Sequence, residues 1–190
     1  YAAQLMRAED AAMAELRARE DAYVRLARTS IEHYVRTHTY APMPEGLPPE
    51  LMEQRAGAFV SIKKYGKLRG CIGTFVPAQQ TLAEEIFYNA VSAAVHDGRF
   101  EPIEEEELGR LVYSVDVLSA PEPISSAAEL DPKRYGVIVK SVADNRRGLL
   151  LPDLVGIDTA EEQIAIAREK ARIQPKEKVA LARFTVERHH

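Results

Sequence analysis

The sequence predicts an α+β protein built on largely antiparallel sheet. Segments that alternate with the two-residue period of strands are interleaved with segments that have helical spacing. Several consecutive strands are joined by short turns, and few of the strand–helix–strand crossovers that parallel sheets require can be traced. A chain of 190 residues can hold one domain, or two small lobes, with a sizeable core. No internal repeat is evident.

The composition is that of an ordinary globular protein. The net charge of -4 gives no general electrostatic reason to bind nucleic acid, because such binding depends on neutralising phosphates. The single cysteine excludes an internal disulfide and gives no indication of secretion. No signal-peptide pattern and no apolar run of about 18 residues is present, so the cytoplasm is the expected compartment.

The N-terminal region is predicted to be helical over residues 2–38. Residues 1–21 are weakly amphipathic and are interpreted as a lead-in helix, or a linker from a possible upstream domain. The firmer apolar stripe contains Tyr23, Ala27, Ile31 and Tyr34. A proline-rich connector follows at 42–49. The domain itself is expected at 22–188, with uncertain internal boundaries, and 189–190 are interpreted as a possible tag remnant.

The remaining elements follow from local patterns. A hairpin is expected at 58–75, with its turn at 64–67. Capping boxes predict helices that begin at Thr81 and Thr159. Glu104–Glu107 is interpreted as the solvated start of a short helix. The other expected elements are strands at 111–118, 135–142, 149–151 and 179–186, and a helical turn at 127–130.

The second arm of the hairpin contains the segment most suggestive of a site. It reads Leu68-Arg69-Gly70-Cys71-Ile72-Gly73-Thr74-Phe75. Glycine weakens a strand interior and usually marks a bulge or a close approach to the backbone. A strand with two glycines beside an arginine and a thiol is therefore more typical of a site than of a plain core strand.

The hexapeptide Leu68–Gly73 resembles the signature of the AMMECR domain family. The resemblance extends through Ala58–Ile62, Asp97–Phe100 and Gly148–Pro152, in family order, and covers roughly residues 22–188. The chain departs from the family at Gly98, where proline is common, and at Arg172, where glycine is common. A tryptophan segment found in other branches after the Leu-Leu-Pro motif is also missing, which weakens any transfer of family properties to 153–175.

The resemblance implies two unequal lobes with flanking helices and a cleft between them that the hexapeptide faces. It implies no established biochemical activity. The bacterial branch that the chain resembles is often fused to, or encoded with, a Memo-type protein, and a radical SAM protein commonly completes that set. The expected cleft residues are Leu68, Arg69, Gly70, Ile72, Gly73, Thr74, Asp97, Arg99 and Phe100.

Cys71 is the candidate nucleophile, because a thiolate is strongly nucleophilic once its pKa is lowered. On a regular strand Arg69 would share its face and favour the thiolate. The alternative is a small buried hydrophobe. His96 is a weak candidate for the base, since a histidine at a helix C-terminus more often compensates the helix dipole.

Asp97 and Arg99 are expected to pair and order their loop. Alternatively, Arg99 joins Arg69 in receiving a carboxylate or phosphate. No metal motif is present, and His33 and His38 lie five positions apart on a predicted helix, where they would share a face poorly. The pair Arg146 and Arg147 is typical of a hairpin tip, although such a pair can also contact RNA.

Two functions remain open at this point. The favoured one is a binding or recruitment module for a macromolecule, protein or RNA, or for the Memo-like and radical SAM partners. The alternative is an enzyme of group transfer or macromolecule modification that uses Cys71. The cofactor is unknown, DNA is an unlikely partner, and no membrane association is expected.

Overall fold

The computed structural model describes all 190 residues, from Tyr1 to His190. The chain forms two compact units: Tyr1–Val117 with Arg188–His190 make the first, and Leu118–Glu187 the second. Helices and two antiparallel sheets together give an α+β fold, as the sequence predicts. No helix is both long and apolar enough to cross a membrane.

The chain contains five α-helices, two short 3-10 helices and eight strands. The α-helices are α1 Ala2–Ala18, α2 Ala22–Thr37, α3 Pro49–Glu53, α4 Leu82–Val95 and α5 Ala160–Lys170, and the 3-10 helices are Glu105–Arg110 and Ala127–Glu129. The strands are β1 Ala58–Lys64, β2 Lys67–Thr74, β3 Leu111–Leu118, β4 Glu122–Ile124, β5 Gly136–Ser141, β6 Arg147–Leu150, β7 Val179–Phe184 and β8 Val186–His189.

The first sheet has the strand order β2-β1-β3-β8. Its register separates two faces, because residues directly opposite each other on antiparallel strands point the same way. One face, which we call the helix face, packs into the hydrophobic core of the first unit. It carries Val60, Ile62, Ile72, Tyr113 and Val115. The other face, which we call the thiol face, carries Phe59, Ser61, Cys71, Gly73, Ser114 and Asp116.

Helix α4 forms where the sequence predicts it and packs on the helix face. The Thr81 hydroxyl accepts the Glu84 N–H at 3.1 Å, and Leu82, Ile86, Ala90 and Ala93 are buried. The predicted helix start is therefore confirmed. The Glu84 side chain, however, bonds the N–H of Gln80, the residue before Thr81, instead of the N–H of Thr81 itself.

The second sheet has the strand order β4-β7-β5-β6. Its core consists of Val137, Val139, Leu150, Ala167 and Ile173, and α5 supplies one of these side chains. The Thr159 hydroxyl caps α5 by accepting the Glu162 N–H at 3.2 Å, as predicted.

The predicted helix over 2–38 is wrong in one respect, because the chain breaks between α1 and α2. Asp21 adopts an extended conformation, and its carboxylate accepts the Val24 N–H at 3.0 Å, which begins a new helix. The buried Glu20 pairs with Arg28 at 2.8 Å just before that cap. A local cap and a buried ion pair therefore override continuous helix propensity.

The predicted strand over 179–186 is likewise two strands, divided at Thr185. The second of them brings His189 onto α2. The His189 ring stacks on Tyr23 with centroids 3.8 Å apart, and its Nδ1 lies 2.5 Å from the Asp21 carboxylate. His189 is therefore packed within the first unit. Short β4 and α3 were not predicted from the sequence.

Candidate functional site

The motif-bearing strand β2 lies at one edge of the first sheet. Cys71 stands opposite Ser61, and Ser61 stands opposite Ser114, so the thiol and two hydroxyls form one row across the thiol face. The Ser61 Oγ lies 3.2 Å from the Cys71 Sγ. Because Gly70, Ile72 and Thr74 have the opposite parity, only part of the motif presents side chains on the thiol face.

Gly70 and Gly73 are explained by packing within the chain. A Cβ at Gly70 would stand 2.2 Å from the carbonyl oxygen of Ala93 on α4. A Cβ at Gly73 would stand 2.2 Å from the ring of Phe59. The expected bulge is present, because Gly70 pairs with Ile62 and Leu68 with Lys63, which leaves Arg69 as the extra residue. Atoms of the chain itself therefore occupy the space beside both glycines, which were expected to line the cleft.

Arg69 is fully engaged by the segment that follows α4. Its Nε and Nη2 donate to the two Glu107 carboxylate oxygens at 3.0 and 2.9 Å, and its Nη1 donates to the Glu101 carbonyl at 2.8 Å. The guanidinium holds the pKa of Glu107 down, to about 2, despite partial burial of that carboxyl. This corrects two interpretations: Arg69 is not an available anion holder, and Glu107 is not a solvated helix start.

The loop after α4 reaches the backbone of the motif cysteine. Asp97 accepts the Cys71 N–H at 2.9 Å, and Arg99 donates to the Cys71 carbonyl at 3.2 Å. Arg99 also donates to both Asp97 oxygens, at 3.0 and 2.8 Å, so the predicted pairing is confirmed. That bidentate pair holds the pKa of Asp97 well below its ordinary range.

The environment of Cys71 raises the pKa of its thiol. Burial is the largest cause and opposes ionisation, while the bond from Ser61 and the charge of Arg99 act in the other direction without overcoming it. Asp116 and Asp97 add negative charge nearby, which also raises the pKa. The cation that acts on the thiol is thus Arg99 rather than Arg69, and the pKa of the thiol is raised rather than lowered.

His96 lines a different region of the first unit. It is exposed, makes no side-chain hydrogen bond, and borders a groove of about 490 Å³ with Tyr34, His38 and Glu104–Glu106. Cys71 is not among the residues that line this groove. The structure therefore does not assemble a thiol–imidazole pair. No group of three His, Cys, Asp or Glu side chains is placed to hold a metal ion.

The remaining predicted site residues are divided between the two faces. Leu68 is opposite Lys63 and is exposed, and Arg99 lies over the ring of Phe100, 5.4 Å from its centroid. Thr74 instead lies on the helix face, where its hydroxyl donates to the buried Glu85 and accepts from Asn89. Thr74 and Ile72 are thus positioned as structural residues behind the strand.

Comparison with known proteins identifies the family. The AMMECR1 family profile matches residues 24–189. The chain belongs to the AMMECR1 family.

Its relatives include a Thermotoga maritima protein that is 51% identical over 90% of this chain and 98% of that protein. Protein CA_C1420 of Clostridium acetobutylicum is 45% identical over 90% of this chain, but the match spans only 36% of that longer protein. The crystal structure of the uncharacterised protein PH0010 from Pyrococcus horikoshii superposes with a TM-score of 0.78. It is 36% identical, over 87% of this chain and 88% of that one.

A second carboxylate–arginine pair, which was not predicted from the sequence, lies on the thiol face of this AMMECR1-family chain. Arg188 donates to both oxygens of the buried Asp116 at 2.7 and 2.8 Å. The only signal was an aspartate in the otherwise apolar strand Leu111–Leu118, together with Ser114 at the same parity. The thiol face therefore carries a row of hydroxyl and thiol groups. The Arg99 guanidinium, held by Asp97, lies on one side of this row, and the Arg188 guanidinium, held by Asp116, lies on the other.

Proposed function

We propose that this AMMECR1-family domain is a binding module that recruits a macromolecular partner through Arg99 and the thiol face. The observation that carries the proposal is the anchoring of Arg99. Asp97 fixes the guanidinium in two bonds, and the Cys71 carbonyl accepts a third, yet the side chain remains 58% exposed. A guanidinium held rigidly at the surface binds carboxylate or phosphate with little loss of side-chain entropy.

One nitrogen of the half-exposed Arg99 guanidinium makes no hydrogen bond within the chain. Its Nε and Nη2 are occupied by Asp97 and the Cys71 carbonyl, whereas Nη1 has no partner in the chain. Five N–H donors on a planar group allow one edge to anchor and another to bind. An anionic group of the partner is the ligand that suits this edge.

The alternative of an enzyme that uses Cys71 has less support. A nucleophilic thiol needs a lowered pKa or a neighbouring base, whereas burial raises the pKa of Cys71 and His96 borders another groove. The hydroxyl beside the thiol is Ser61, which is not a base at neutral pH. We therefore infer a passive role for the thiol within the recognition surface.

The partners proposed are the Memo-like and radical SAM proteins, with another protein or an RNA as further possibilities. The match to 36% of a longer relative supports this view, because it indicates that the domain also occurs within larger proteins. The acidic net charge of -4 favours a protein partner over a nucleic-acid partner.

The test is retention of purified Memo-like and radical SAM proteins, encoded with this chain, on immobilised wild type and Arg99→Gln. Arg36→Gln is the matched control, because Arg36 is 49% exposed and pairs with carboxylates in the same unit. Thermal melting establishes that each variant is folded. We expect Arg99→Gln to lose at least about tenfold in affinity, a typical cost for a charged hydrogen bond. Equal retention of the partners by wild type, Arg99→Gln and Arg36→Gln would contradict this use of Arg99.

A second measurement separates the two functions. We expect iodoacetamide to modify native Cys71 with an apparent pKa above the ordinary value of about 8.5, and more slowly than in denatured protein. Cys71→Ser should keep partner retention. Rapid modification with an apparent pKa well below 8.5 would favour the enzyme instead.

A further inference from the structure

The outer edge of β2 is a strand edge that the chain covers only in part. No strand lies beyond β2 in the sheet order β2-β1-β3-β8. The Cys71 N–H and carbonyl point to this edge, since they are bonded to Asp97 and Arg99 rather than to β1. The two side chains thus take the place of a neighbouring strand for one residue.

The cover extends from Cys71 toward the start of β2 and not toward its end. Arg69 is tied to the carbonyls of Glu101 and Pro102, so residues 97–107 run beside the first half of the strand. Backbone groups on a strand alternate in direction with a period of two. Gly73 therefore directs its N–H and carbonyl to the same edge as Cys71, and neither group has a hydrogen-bond partner in the chain.

The surroundings of this open backbone indicate what would pair with it. An exposed strand edge with unpaired groups is a template for an added strand. Arg99 lies at the Cys71 position, one two-residue repeat or roughly 6.6 Å from Gly73. Val76, just beyond the strand, is 53% exposed, and the Phe59 ring lies beside Gly73. The unpaired Gly73 backbone groups, the anchored Arg99 guanidinium and nearby apolar side chains therefore lie along the same edge of β2.

We propose that the β2 edge at Gly73 binds an extended segment of a partner protein as an added strand, with an acidic side chain of that segment paired to Arg99. The inference rests on the proposed binding function and specifies its ligand as a peptide. An RNA would use Arg99 through phosphate but could not form the strand hydrogen bonds.

The test begins with selection of random dodecapeptides displayed on phage against the wild-type chain, with counter-selection on Arg99→Gln. Enriched peptides are synthesised, together with versions methylated at each backbone nitrogen in turn. We expect enrichment in Asp or Glu, and at least tenfold weaker binding to Arg99→Gln than to wild type or Arg36→Gln. Methylation should abolish binding at the one peptide nitrogen that donates to the Gly73 carbonyl, since the Cys71 carbonyl is already bonded to Arg99, and the Gly73 amide signal should shift on titration.

Three results would overturn the strand-addition proposal. They are the absence of enrichment, tolerance of methylation at every position, and an unchanged Gly73 amide in a saturated complex. Displacement of a bound peptide by a 12-nucleotide oligouridine, with tighter binding of the RNA itself, would assign the surface to RNA. If the wild-type chain retains whole partner proteins in a way that depends on Arg99, while no peptide binds, the recruitment function is supported and the strand-addition proposal is wrong.

Discussion

The two units contain the same local piece of structure in different settings. In the first unit, hairpin β1–β2 is followed by α4, and in the second, hairpin β5–β6 is followed by α5. Each returning strand carries an Arg-Gly pair, and each helix is capped by threonine. Thr81 stands eleven positions after Gly70, and Thr159 eleven positions after Gly148. This structural correspondence was not identified from the sequence, where no internal repeat is evident.

The packing of the two pieces is also alike. A Cβ at Gly70 would meet the Ala93 carbonyl at 2.2 Å, and a Cβ at Gly148 would meet the Ala167 carbonyl at 1.9 Å. In both cases the helix lies so close to the strand that only glycine fits. The motif glycine is thus explained by the scaffold rather than by a ligand.

The difference between the pieces lies at the residue after the glycine. That residue is Cys71 in the first unit and Leu149 in the second. The Leu149 carbonyl accepts a bond from Lys170 at 3.3 Å, much as the Cys71 carbonyl accepts one from Arg99. Only Cys71 has a carboxylate on its N–H. The Asp97–Arg99 pair is therefore an addition that helix packing does not require, which is why it is the best candidate for function.

The largest effect is expected from filling the two helix-contact glycines. Gly70→Ala and Gly148→Ala each place a methyl group against backbone, which cannot move aside as a side chain can. We expect each to lower the free energy of unfolding by about 2–3 kcal/mol. Urea denaturation measures this loss.

Gly109→Ala is the control, since nothing lies within 4 Å of a Cβ built there. It should change the free energy of unfolding by less than about 0.5 kcal/mol. If Gly70→Ala were equally harmless while Gly148→Ala were not, the two hairpins would not share a packing constraint, and a ligand would again be needed to explain Gly70.

Local rules were enough to predict most elements of the fold. Hairpin 58–75, the threonine caps and strand 111–118 depend on neighbouring residues, so the sequence pattern suffices for them. The break before α2 depends on Glu20 meeting Arg28 and on the Asp21 cap, and β4 depends on pairing with distant β7. Tertiary contacts decide whether such elements form, so local sequence patterns do not predict them.

The site was predictable as a location but not as a set of bonds. Sequence placed Cys71, Asp97 and Arg99 in suggestive motifs, and the pairing of the last two follows from their proximity. The bulge at Arg69 and the capture of Arg69 by Glu107 depend on where residues 101–107 pass β2. Periodicity assigned Arg69 to the face of Cys71, and the bulge is what breaks that assignment.

Asp97→Asn tests the feature that distinguishes the first piece from the second. The substitution removes the charge that Arg99 and the Cys71 N–H share, and we expect a loss of about 1–3 kcal/mol at pH 7. The folded-state pKa of Asp97 is depressed, so its stabilisation is complete above the unfolded pKa of about 3.9 and is lost as pH falls below that value. The variant and wild type should therefore converge in strongly acidic solution.

Urea denaturation between pH 7 and pH 2 measures the convergence. Asp144→Asn is a matched control, because Asp144 pairs with Arg146 on the exposed turn of the second hairpin. Its effect on the free energy of unfolding should be smaller than that of Asp97→Asn at pH 7. A pH-independent loss in Asp97→Asn would mean that shape, rather than charge, explains the contribution of Asp97.

Glu107→Gln tests the attachment of residues 101–107 to β2. We expect a loss of about 1–2 kcal/mol at pH 7, because two cations, Arg69 and Lys64, share this partly buried carboxylate. The folded pKa is about 2 and the unfolded pKa about 4.3, so the loss should decline as pH falls from about 4.5 to 2. Glu105→Gln, at a carboxylate that is 63% exposed, should leave the denaturation curve unchanged. A pH-independent loss in Glu107→Gln would contradict the ion pair as its cause.

The smallest effect is expected from the second unit's counterpart of Arg99. Lys170 is exposed and makes a single 3.3 Å bond to the Leu149 carbonyl, so Lys170→Met should change stability by at most about 0.5 kcal/mol. Arg99→Met should cost more, because it leaves the buried Asp97 carboxylate without its cation. Parallel urea denaturation of the two variants compares them directly. Equal losses would mean that both cations merely satisfy an edge carbonyl, and the argument that Arg99 is present for binding would lose its basis.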